Sequence, residues 1–283
     1  MAKLPLNLSK TIEAWKEASS RSEQAAGIVL AGDGRLVELA QNRFSSGGTV
    51  PATWVGSMAE LPESLPGPGE VLLVLVTPVA EAGALEAIAR LTSKTGAVIA
   101  VDEGDQATGR VTHPGLSLAR VSFSDSAAGW RQVFSSCVTV AGNRSVVLAH
   151  RYPVLRMPAA HRVIDRTAAQ NALVGLAFFI PGADMPAMTL NQIRMVLSVA
   201  GIHGEETDLD RAVELAAVVG LGFGLRSLFR RLARRMPGAG WALKPLTGFA
   251  ATMAIGLGAV RYYEKGAPAA TSKLVALARS LER

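Results

Sequence analysis

The sequence predicts an α/β fold, a small doubly wound and mostly parallel sheet, followed by an all-α bundle of two helical hairpins. Three observations carry this expectation. Five short, β-branched apolar runs fall between residues 27 and 123 without the polar alternation of a half-exposed sheet, which is how strands covered on both faces read. Beyond residue 158 long helical stretches take over, and two turn on the same corner, Pro181-Gly182-Ala183 and Pro237-Gly238-Ala239. Charge divides the chain in the same way. Residues 1–150 hold 12 Lys and Arg against 14 Asp and Glu, whereas residues 151–283 hold 17 against 9, so the net charge of +6 belongs to the second part.

In chain order, 1–26 is a helical arm, with Ser9 placed to cap a helix over 8–24 and Leu8, Ile12 and Trp15 at helical spacing. A sheet domain follows over 27–150. Its strands are expected at 27–31, 52–55, 71–76, 97–101 and 118–123, with crossover helices over 80–94 and 126–141 and a Pro/Gly-rich loop over 61–69. The third part, 151–283, is apolar, basic and helical, with arms over 159–180 and 186–203, then 208–236 and 241–264. The repeated corner, 56 residues apart, hints at an internal duplication.

Several kinds of chemistry are set aside. The single cysteine, Cys137, lies in an apolar run and reads as a core residue. The histidines, His113, His150, His161 and His203, lack metal-ligand spacing, and neither HExxH nor CxxC is present, so no metal and no cofactor is expected. A nucleic-acid partner is not expected either, because the basic part has few aromatics for base stacking. Residues 1–26 hold no apolar core of signal-peptide length, which points to the cytoplasmic face of a membrane or to the cytoplasm.

The densest feature is basic. On a helix, Arg226, Arg230, Arg231, Arg234 and Arg235 fall in one half of the wheel and Leu225, Leu228, Phe229, Leu232 and Met236 in the other. Such a face meets solvent, an acidic protein or lipid headgroups, each basic residue contributing about 1 kcal/mol near an anionic surface. The longest uncharged runs here, 167–183 and 245–260, reach 17 and 16 residues against the roughly 20 that span a bilayer. Arg194, in the middle of the second helical arm, would be costly in hydrocarbon unless paired within the bundle, with Asp184 or Glu214 as the partners proposed for it. Peripheral and inserted arrangements both stay open.

The strand and loop order of 27–140 resembles a Ras-like or Era-like GTPase domain. A second resemblance rests on Ile180-Pro181-Gly182-Ala183-Asp184, Leu190-Asn191-Gln192-Ile193-Arg194-Met195, Ile202-His203-Gly204, Met236-Pro237-Gly238-Ala239-Gly240, and Thr252 with Gly256. With these, residues 158–266 resemble the uncharacterised, membrane-associated helical domain found C-terminal to some Era-like GTPases. That resemblance implies fold and membrane association, and no activity. The GTPase chemistry is eroded. Counting from Gly32, the phosphate-loop positions for Gly, Lys and Ser/Thr are Val37, Glu38 and Leu39, and Trp54-Val55-Gly56-Ser57 lacks the switch aspartate. Where the family carries Asn-Lys-x-Asp, the chain has Asp102-Glu103-Gly104-Asp105, which leaves Asp105 as the one candidate at a base-reading position; Ser122-Phe123-Ser124 falls at the last motif.

These readings converge on a non-catalytic, membrane-associated scaffold, a pseudo-GTPase domain joined to a helical domain, with an anionic membrane or an acidic protein as partner. The alternative is a soluble homo-oligomer whose apolar hairpins form the subunit interface. A third possibility, an atypical nucleotide hydrolase, must contend with Glu38. Replacing Arg230, Arg231, Arg234 and Arg235 with Gln is expected to weaken binding to anionic liposomes by up to about 4 kcal/mol at low salt while hardly changing binding to neutral ones, measured by co-sedimentation.

Overall fold

The computed structural model describes residues 26–45, 52–61, 67, 69–91, 96–104, 110–113, 118–177, 185–205 and 240–265. In order these form β1 (Gly27–Gly32), α1 (Gly34–Ser45), β2 (Trp54–Gly56), β3 (Glu70–Val76), α2 (Glu81–Arg90), β4 (Ala97–Asp102), β5 (Arg110–His113) and β6 (Leu118–Phe123). The helices α3 (Ala127–Ala141), α4 (Ser145–Arg151), α5 (Arg156–Ala177), α6 (Met185–His203) and α7 (Gly240–Glu264) complete the set. The five expected strands and both crossover helices are present, the second strand shifted to Trp54–Gly56. Helices α1 and α4 and strand β5 were not foreseen. The arm over 8–24, both Pro-Gly-Ala corners and the arm over 208–236 lie outside the described residues.

The sheet runs β2-β1-β3-β4-β6-β5, with every pair parallel except β5 with β6. Strand order therefore reverses at β1 and β3, the switch point of a doubly wound sheet. Successive side chains alternate between faces. Val29, Ala31, Leu72, Val74, Val76, Ile99 and Val101 form one core layer, joined by Ala84 and Ile88 of α2. Their neighbours Ile28, Leu30, Leu73, Leu75, Val98 and Ala100 are equally buried and belong to the other face. Helices α1 and α3 pack on the sheet as well.

Aromatic rings fill this second layer. Phe44 of α1 meets Phe134 of α3 edge-on at 5.3 Å and Tyr152 at 5.7 Å, and Trp130 meets Phe123 at 5.2 Å. Such pairs add about 0.5–1.5 kcal/mol each beyond area burial. Tyr152 also closes the amino-terminal edge of the sheet, since its hydroxyl accepts from the Ile28 N–H at 3.3 Å while Arg151 donates to the Ala26 carbonyl at 2.6 Å. Without these two bonds the start of β1 would leave the buried Ile28 N–H and Ala26 carbonyl without these partners.

The chain divides into two compact units, one ending at Ala159 and the other continuing from Ala160. In the second, α5 and α7 run antiparallel. A Cβ on Gly256 would lie 2.5 Å from Ile164 and one on Gly248 would lie 3.1 Å from the Asn171 carbonyl, so the two backbones approach closely. Helix α6 buries Met195, Val196, Leu197, Val199, Ala200 and Ile202, while Arg194 is exposed. Its proposed partners, Asp184 and Glu214, lie outside the described residues. Among the described residues, no helix is long and apolar enough to cross a membrane.

Burial pushes the Cys137 thiol up to about 12 and raises the Tyr152 phenol above its ordinary value, desolvation being the first cause in both. For both groups the unfolded chain ionises at lower pH than the folded one. Each therefore contributes stability that is complete below its unfolded pKa and lost as pH rises through the folded value. Urea midpoints are expected to hold to about pH 8.5 and then fall, and in Cys137→Ala the onset should move to about pH 10, where Tyr152 begins to ionise in the unfolded chain.

Candidate functional site

In doubly wound sheets ligands sit beyond the carboxyl ends of the strands at the switch point. Here that crest is built from the ends of β1, β3, β4 and β6. Strand β1 ends at Gly32, whose φ of +132° is closed to ordinary side chains, and a Cβ there would stand 2.0 Å from the Leu75 carbonyl oxygen of β3. A single residue, Asp33, then separates β1 from α1. Its N–H donates to the Leu75 carbonyl at 2.8 Å, its carbonyl accepts from the Val37 N–H at 2.8 Å, and its carboxylate accepts from the Arg35 N–H at 3.1 Å.

That turn is short for a phosphate loop. A phosphate loop needs several successive N–H groups turned toward one anion, and a one-residue connection has no room for them. The residues aligned with the Gly-Lys-Ser/Thr positions lie within α1, where Val37 is buried in the core and Glu38 is exposed. The Asp33 carboxylate itself caps the helix N-terminus, the position an anion would occupy.

Beyond β3 the chain makes an exposed turn over Thr77, Pro78, Val79 and Ala80, with Val79 95% exposed. Beyond β4, the Asp102 carboxylate accepts from the Gly104 N–H at 3.2 Å. Asp105, the candidate base-reading residue, lies outside the described residues, as do Arg226, Arg230, Arg231, Arg234 and Arg235. Beyond β6, Ser126 caps α3 by accepting from the Gly129 N–H at 3.0 Å, and Asp125 accepts from Trp130 Nε1 at 2.7 Å and from Arg43 at 3.3 Å. Of the last-motif triplet, Phe123 and Ser122 are buried.

The polar centre of the crest is Arg120, which no sequence motif marks. Arg120 of β6 holds both oxygens of Glu81 in a bidentate pair, donates to Glu103 at 2.7 Å and donates to the buried Ser122 hydroxyl at 2.7 Å. The bonds to Glu81 and Glu103 raise the Arg120 pKa further still, so the charge is permanent. Only its tertiary placement reveals it, because Glu81 and Glu103 lie 39 and 17 residues away in sequence. The cluster carries two carboxylates for one guanidinium, while Asp125 is paired with Arg43. An anionic ligand would meet repulsion there.

His150 and His161 are exposed, and the His203 ring stacks on Tyr263 at 6.0 Å. Among the described residues, no three of His, Cys, Asp and Glu converge as a metal ion would require. No family model, curated protein or solved structure matches the chain. What the molecule displays by itself is a class: a doubly wound α/β unit whose crest is satisfied by its own side chains, followed by apolar, basic helices.

The crest geometry generates a direct expectation for nucleotides. In titration calorimetry with magnesium, GTP, GDP and ATP should each bind more weakly than a Kd of about 10 μM, that is, with less than roughly 7 kcal/mol. Asp105→Ala should leave the melting temperature in GTP unchanged.

Proposed function

We propose that the protein is a non-catalytic scaffold at the cytoplasmic face of an anionic membrane, made of a pseudo-GTPase domain and a helical domain of two hairpins. One observation carries the reading. The outward arc of α7 is apolar from Leu246 to Gly258: Leu246 is 59% exposed, Phe249 38% and Leu257 37%, with Ala254 and Gly258 also exposed. Exposed leucine and phenylalanine in one stripe mark an interaction surface rather than a solvated helix.

Lipid is the occupant this arc fits best. The charge-free run 245–260 is bracketed in sequence by Lys244 and Arg261, cations that suit a headgroup layer while the stripe rests on acyl chains. An in-plane arrangement also agrees with the exposed Arg194 on α6, which hydrocarbon would penalise. The arginine face over 226–235 would then add attraction to anionic headgroups beyond the apolar contact. The soluble homo-oligomer is the second reading, favoured by the small residues of the same arc. A nucleotide hydrolase finds no support in the one-residue turn at Asp33.

Liposome co-sedimentation with Leu246→Gln/Leu257→Gln separates them. Lipid docking predicts at least about a tenfold loss of binding to neutral and anionic liposomes alike, with unchanged circular dichroism, since each exposed leucine contributes on the order of 1 kcal/mol on insertion. Unchanged liposome binding together with a smaller sedimenting species would transfer the arc to a subunit interface.

A further inference from the structure

Helix α5 has one face committed and one open. Inward, Ile164 stands against Gly256 of α7, and Asn171 Nδ2 donates at 2.9 Å to the Thr252 hydroxyl, a centre that also accepts from Gln192 Nε2 of α6 at 3.1 Å. Outward run Arg162, Arg166, Ala169, Leu173 and Leu176, spaced 4-3-4-3 along the chain. Arg162 is half-buried, whereas Leu173 is 65% and Leu176 49% exposed. That spacing is the seam of two helices packed side by side. A seam that ends in two exposed leucines calls for an occupant.

The chain itself supplies a segment with the same spacing. In the helix expected over 8–24, Leu8, Ile12, Trp15, Ser19 and Ser22 repeat at 4-3-4-3, while Lys10, Glu13, Glu17 and Arg21 fall on the opposite side. These residues lie outside those described, but the point from which they depart does not. The Ala26 carbonyl accepts from Arg151 at 2.6 Å, five residues before α5 begins at Arg156. Leu173 lies about 26 Å along the axis from Arg156, and a helix over 8–24 is about 26 Å long. Running antiparallel from Ala26, such a helix brings Leu8 level with Leu173. The same register sets Ile12 at Ala169, Trp15 at Arg166 and Ser19 at Arg162, so length and both seams select one alignment.

We propose that residues 8–24 pack antiparallel along the outer face of α5 and are the occupant of its leucine seam. The layers match in chemistry. Leucine meets leucine at the far end, Ile12 fills the space over Ala169, the Trp15 ring lies on the Arg166 guanidinium, and the Ser19 hydroxyl offers an acceptor to Arg162. Both seams pass from polar to apolar in the same direction, and a shift of one heptad toward the start of α5 would set Leu8 on Arg166. Lipid fits this face less well, because Arg162, Asp165 and Arg166 share it with the leucines. The packing holds whether the α7 arc meets lipid or a second copy.

Disulfide formation in the full chain tests this. In a Cys137→Ala background, Leu8→Cys/Leu173→Cys and Ile12→Cys/Ala169→Cys should each oxidise within one chain. Both should do so roughly tenfold faster than Lys10→Cys/Leu173→Cys, whose first thiol faces away, because a disulfide needs Cβ atoms about 4 Å apart. The seam predicts both pairs, so if one variant fails to fold by circular dichroism the other decides. Disulfides formed only between chains would give the face to a second copy, and intrachain oxidation abolished by anionic liposomes would give it to lipid. An 8–173 or 12–169 rate no greater than the 10–173 rate would place the arm elsewhere. Any of these three results overturns the seam.

Discussion

A side chain at position 32 would collide with the Leu75 carbonyl, and this constraint organises the sheet unit. Because Gly32 turns through a positive φ with its strand still paired to β3, the chain reaches the first turn of α1 after Asp33 alone. Starting there, α1 presents Leu36, Val37, Ala40 and Phe44 to the sheet, and Phe44 reaches the aromatic layer with Phe134 and Tyr152. Tyr152 in turn accepts the Ile28 N–H at the far end of β1. Both ends of one strand are thus tied to the same core, and the turn that ties the first leaves no room for a phosphate loop.

The crest above that sheet is closed in on itself. Arg120 reaches Glu81 at the start of α2, Glu103 just past β4 and Ser122 on its own strand, so one guanidinium holds three segments in register. A part-buried arginine of this kind retains its charge because its carboxylates replace the water it loses. The same bonds make it unavailable to a ligand. Asp33, Asp102 and Asp125 likewise accept from groups of their own chain.

The helical unit places polarity where the sheet unit places bulk. Asn171, Gln192 and Thr252 are buried among helices otherwise rich in apolar and small residues, and the outward arc of α7 is apolar. On α7 the outward arc departs from the usual amphipathic plan, whereas α5 and α6 expose Asp165, Arg166 and Arg194 in the ordinary way. Buried amides add direction to an interior that methyl groups alone would leave permissive, and an apolar exterior needs a surface other than water.

Much of the fold was legible in the chain. Unbroken apolar runs at 71–76 and 97–101 read as buried parallel strands because both faces of such strands are covered, and helical periodicity placed α3, α5, α6 and α7 to within a few residues. Helix α1 has its own signal in the chain, Leu36, Val37, Ala40 and Phe44 at helical spacing. Strand β5 and helix α4 are short, and short segments take their form from their neighbours. The sequence-level site candidates, Asp105 and the five arginines, fall outside the described residues. By itself, the sequence determined the class of fold and the division of charge, because each depends on residue type and local spacing. Tertiary structure alone decided the Arg120 cluster, the turn at Asp33 and the Thr252 centre, because partners such as Asn171 and Thr252 are 81 residues apart and meet only once three helices have packed.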